Sequence, residues 1–223
     1  MKNFGKALKL YLKMTLNPIV SGFGVFIMLI ILIVAALLPD SPDSEDYMSM
    51  IASVGFGQIG IAVICLSGSI TICRNKLFAS LPFAKTLFTV VPVVVPAVLS
   101  LIYCNAVITI AALCWEPAGM SDILVFAPLN GVVICLAVSA IGKSKFEWIY
   151  LVSILFLSAE EILLPNISIT AHGLGLPVIA AAVIGALIFI AGIALTLLIT
   201  NLWWKSADRV YRPSNGVAQV EIS

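Results

Sequence analysis

The sequence predicts an all-α polytopic membrane protein: an N-terminal interfacial elbow helix and six transmembrane helices, with both termini cytoplasmic. Three observations carry that reading. The 223 residues are 61% apolar and 10% charged, far outside the soluble range. Apolar runs long enough to cross a bilayer, about 20 residues each, recur six times along the chain. All twelve Lys and Arg residues fall on one side of the membrane that those runs define. Lys2, Lys6, Lys9 and Lys13 precede the first run, and Arg74, Lys76 and Lys85 lie between the second and third. Lys143 and Lys145 separate the fourth and fifth, and Lys205, Arg209 and Arg212 follow the last. The alternate gaps hold Asp40, Asp43, Glu45, Asp46, Glu116 and Asp122 and no base. Positive charge in short loops marks the cytoplasmic side.

Residues 1–16 read as an amphipathic helix lying in the inner headgroup plane. Its lysines recur at i, i+4, i+7 and i+11, opposite Phe4, Leu8, Tyr11, Leu12 and Thr15. Asn17-Pro18 breaks it and turns the chain into the bilayer. The spans follow at about 18–38, 48–71, 86–113, 122–142, 147–164 and 177–201, inside a membrane domain over residues 17–204. The third span carries Pro92 and Pro96 and is expected to bend. The fourth has Pro128 ahead of Asn130-Gly131, a second bend. Trp203-Trp204 read as an interfacial anchor, and residues 205–223 as a polar cytoplasmic tail.

Small residues mark stripes on two spans: Ser53, Gly57, Gly60, Ser67 and Thr71 on the second, and Ala181, Gly185, Gly192, Thr196 and Thr200 on the sixth. Such stripes let helix backbones approach in lipid, within the subunit, around a cavity or between subunits. The five cysteines show no CxxC pairing and behave as small buried hydrophobes. No metal site is expected. Asn166-Ile167-Ser168 is a sequon, a weak signal by itself.

Chemistry within the chain is sparse. His172 is the lone histidine, no HExxH occurs, and no Ser or Cys has a base partner at a recognisable spacing. No GxxxxGK[ST] loop is present either. The chain is therefore not expected to be an enzyme, to hold a cofactor or to bind nucleic acid. Asn105 and Asn130 are polar residues at mid-depth, and Glu160 and Glu161 are acids near the outer end of the fifth span. Ionisable and polar groups at membrane depth are functional candidates, here for a translocation path or an outer gate, with hydrogen bonding between helices the alternative role for Asn105 and Asn130.

The most specific segment runs from Cys73 to Lys85 on the basic side. It combines Arg74 and Lys76 with Phe78, Ser80-Leu81-Pro82 and Lys85, more apolar surface than a simple turn needs. The pattern Arg74-x-Lys76-x-Phe78-x-Ser80-Leu81-Pro82-x-x-Lys85 resembles the loop between the second and third spans of bacterial type-2 ABC permeases. The layout resembles that class over the whole chain, while the sequence likeness is confined to those residues. Phe83-Ala84 depart from the commoner form, in which a polar residue and a second base often stand.

The resemblance implies the membrane half of an exporter, paired with a second permease subunit, the same or homologous. Separate cytoplasmic ABC ATPase subunits would hold ATP and Mg. Residues 73–85 would be the coupling loop, contacting the ATPase through Arg74, Lys76, Phe78, Ser80, Leu81 and Pro82. The cargo implied is an amphipathic or antimicrobial peptide or a hydrophobic drug. Two rivals share the topology: a scaffold subunit without transport, and a gradient-driven transporter or channel.

Overall fold

In the computed structural model the break between the first two helices has a local cause. The structure describes residues 2–37, 54–55, 57–114, 117–141, 148–149, 151–153, 155–156 and 176–205. Helix α1 covers Lys2–Thr15 and α2 covers Pro18–Leu37. Pro18 takes the first helical position, where no N–H is needed, and the Asn17 side chain accepts from the Ile19 N–H at 3.1 Å. The expected break at Asn17-Pro18 is therefore present. Helix α3 (Ile59–Arg74) leads through Asn75 into the one-turn α4 (Lys76–Ala79), followed by α5 (Ala84–Thr89) and α6 (Val91–Cys114). The third apolar run is thus split at Val90. Pro92 and Pro96 have no N–H to offer the Phe88 and Pro92 carbonyls. Helix α7 (Pro117–Ala140) and helix α8 (Val178–Lys205) complete the described elements.

Four of these helices, Pro18–Leu37, Val91–Cys114, Met120–Ala140 and Val178–Trp204, are long and apolar enough to cross a membrane. Their outward faces carry Phe23, Phe26, Ile33, Leu187 and Ile190, all exposed. Such surface belongs in hydrocarbon, and the chain is a multi-pass membrane protein. Residues 48–53 at the start of the second run, most of the fifth and residues 206–223 lie outside the described residues. So do Glu160, Glu161, His172 and the sequon.

Helix α7 is central, packing against α3, α6 and α8, while α2 lies along α3 and α1 bridges α3 and α5. Glycine permits two of these contacts. Gly24 of α2 and Gly60 of α3 face each other so closely that a Cβ on either would strike the other's backbone carbonyl oxygen. Gly185 of α8 rests on the carbonyl oxygen of Leu124 in α7. Ala181, Thr196 and Thr200 of the same stripe are buried, so the stripe on α8 is an intramolecular packing face.

Three expectations change. Tyr11 and Thr15 of α1 are buried against α3 rather than facing lipid, with the Tyr11 hydroxyl 2.8 Å from Ser69 Oγ. Trp203 is buried and Trp204 stacks on Phe88, ring centroids 6.1 Å apart, so this pair anchors α8 to the protein. Asp122, expected at a water-facing edge, is 0% exposed. Pro117 starts α7 a full turn earlier than expected, which carries Asp122 into the packed part of the helix.

Candidate functional site

The segment from Arg74 to Lys85 folds into a compact turn rather than a loop. The Asn75 side chain accepts from the Leu77 N–H at 3.0 Å, and Ser80 Oγ donates to the Leu77 carbonyl at 2.8 Å. These two side chains satisfy both backbone polar groups of Leu77 and so fix the turn. Phe78 and Leu81 are half-buried against the protein's own core. Leu77 instead points away, 73% exposed, with Ser80, Pro82, Arg74 and Lys85 also exposed. Lys76 opens α4. The turn therefore presents an exposed leucine among cations, and the chain itself holds the aromatic.

Helix α5 connects this turn to the rest. It continues through Val90 into α6, and it meets the C-terminal end of α8 at two points. Thr200 Oγ1 shares its one proton between the Thr89 carbonyl at 3.2 Å and the Leu197 carbonyl of its own helix at 3.0 Å, and Trp204 stacks on Phe88. It also packs against α1. Helix α4 is thus connected through α5 to both α6 and α8.

Helices α6 and α8 straddle α7 and leave between them a groove of about 690 Å³. Asn105 lines it, and Asn130 does not. The Asn105 Nδ2 donates to the Leu101 carbonyl at 2.7 Å. Asn130 is buried in α7, and neither of its amide atoms has a partner among the described residues. The two asparagines thus belong to different environments. Gln58 is a further interior polar residue: 0% exposed, it donates through Nε2 to the Ala127 carbonyl at 2.7 Å. Ser100, also buried, has a free Oγ, and its Cβ lies beside Gly131 as the Gln58 Oε1 does.

No family model matches this chain, and neither do the curated proteins or the solved structures with which it was compared. Its chemistry must be read from its own residues.

Among the described residues no group of His, Cys, Asp or Glu is placed to hold a metal. The arrangement is a hydrogen-bonded basic turn, a helix linking it to two long helices, and an apolar groove between those two. Sequence reasoning missed Gln58, although it lies in an apolar run just as Asn105 and Asn130 do. It also missed Leu77, whose exposure depends on which side of a single turn the core covers.

Proposed function

We propose that this chain is the membrane permease subunit of an ATP-driven exporter. It has six transmembrane helices with both termini cytoplasmic in a bacterial plasma membrane. It works beside a second permease subunit, the same or homologous, and with cytoplasmic ABC ATPase subunits that supply ATP and Mg. Its cargo is an amphipathic or antimicrobial peptide or a hydrophobic drug. The observation that carries this reading is the linkage through α5. The Leu77 turn sits on the cation-bearing end of the molecule and is joined by α5 to α6 directly and to α8 through Thr200 and Trp204. A scaffold subunit has no need of a presented turn geared to two long helices. A gradient-driven carrier commonly places ionisable groups at mid-depth, and the described acid, Asp122, lies towards the outer end of α7.

The motion follows from the packing. ATPase closure pushes α4, α5 moves with it, and the inner ends of α6 and α8 shift together against α7. Pro92, Pro96 and Pro128 interrupt the helical ladders where bending is needed. The test is purification of the tagged chain from native membranes. A P-loop ATPase should co-purify in stoichiometric amount. A chain recovered folded and without any such ATPase would refute the reading in favour of a scaffold.

A further inference from the structure

The groove between α6 and α8 is built, not incidental. Its α8 wall is hollowed by Ala182, Gly185, Ala186 and Ala194, where neighbouring lipid-facing positions carry Ile and Leu. It runs from Val94 to Ile108 along α6, about 21 Å at 1.5 Å per residue. Its rims, Val98, Leu101 and Ile190, are exposed, so it opens sideways into hydrocarbon. Its volume of about 690 Å³ lies within the usual range of small-molecule sites.

One side chain in it is costly where it stands. Asn105 is exposed and lies about 4 Å from the midpoint of α6 along the axis. One amide N–H is used on the Leu101 carbonyl. Because that carbonyl only accepts, the nitrogen must face it. The Asn105 Oδ1 and the second N–H have no partner among the described residues. Hydrocarbon offers them none, so the free amide edge is unfavourable unless a ligand pairs with it.

We propose that this groove is a lateral binding site for an uncharged amphiphile: a long apolar chain bearing an amide or hydroxyl group that hydrogen-bonds Asn105. Among the described residues that line it none is charged, which selects against ionised headgroups, since an unpaired charge there would be desolvated. The apolar walls hold the chain, and Asn105 sets its depth. The site rests on the placement of α6 and α8 in a membrane and is independent of any ATPase, so its failure and that of the permease reading are separable.

The test uses the purified full chain in phosphatidylcholine nanodiscs with two photoreactive probes. One is a long-chain N-alkyl amide, and the other is a matched hydrocarbon without a polar group. The amide should be captured about fivefold better, the strength of one net hydrogen bond, with adducts on α6 or α8. Asn105→Leu, which suits a lipid-facing helix, should lower amide capture to the hydrocarbon level. Ala186→Phe, which fills the groove from its open side, should abolish capture of both. Equal capture of both probes by the wild type and Asn105→Leu would overturn the proposal and leave ordinary lipid as the occupant. Absence of capture, with Ala186→Cys cross-linking two copies, would overturn it in favour of a subunit interface.

Discussion

Gly185 of α8 rests on the backbone carbonyl of Leu124 in α7, the carbonyl whose ordinary helical donor would be residue 128. That residue is Pro128, which has no N–H. The chain thus places its smallest residue against the acceptor its proline leaves open, where a Cβ would strike the carbonyl oxygen. The α7–α8 pair depends on that fit.

Gly185→Ala should therefore destabilise the protein by about 2 kcal/mol, the usual scale of overpacking. Gly5→Ala and Gly22→Ala meet nothing within 4 Å and should be neutral, or stabilising by up to about 1 kcal/mol through helix propensity. Reversible SDS unfolding of the three variants measures the difference. Equal stabilities would mean that the close approach does not hold α8.

The docking of α1 should respond to alkaline pH. Burial holds the Tyr11 phenol well above the ordinary tyrosine value near 10. Below about pH 10 the phenol is neutral both folded and unfolded, so docking is insensitive to pH there. At higher pH the unfolded chain releases a proton that the folded chain keeps, and stability falls as pH rises. Tyr11→Phe should cost about 1 kcal/mol for the lost Ser69 bond and flatten the alkaline response. The mobility of a spin label at Lys9→Cys, followed from pH 8 to 11, reads both effects.

Much of this was legible in the sequence, and the exceptions share a cause. The α1 break at Asn17-Pro18 and the interruption near Pro92 follow from the backbone chemistry of proline, which acts locally. The roles of Asn105 and Asn130 were indistinguishable, because both are amides at similar depth. Only packing turns one to a groove and the other to the core. Trp203 and Trp204 carry the composition of an interfacial belt, yet Phe88, over a hundred residues away, decides where they face. Phe78 and Leu77 are adjacent and differ by about 100° around a helical turn. The core placed the aromatic inside and left the leucine out.

The α5 linkage should be separable from partner binding. Thr200→Val keeps the shape of the side chain and removes the hydroxyl shared between the Thr89 and Leu197 carbonyls, leaving the Leu77 turn intact. Such a chain should retain its ATPase while export per ATP hydrolysed falls severalfold. Normal export by Thr200→Val would show that α8 takes no part in coupling.

The most direct measurement is ATP turnover by the purified complex as a function of residue 77. Leu77 is the exposed apolar side chain of the turn, whereas Phe78 belongs to the core. Leu77→Asp should leave the fold unchanged and sever the contact, because interface anchors are apolar groups buried against the partner. ATPase retention and substrate-stimulated turnover should both fall at least tenfold. Phe78→Ala should instead lower the stability of the chain itself. Full turnover and full ATPase retention in a folded Leu77→Asp chain would contradict the account.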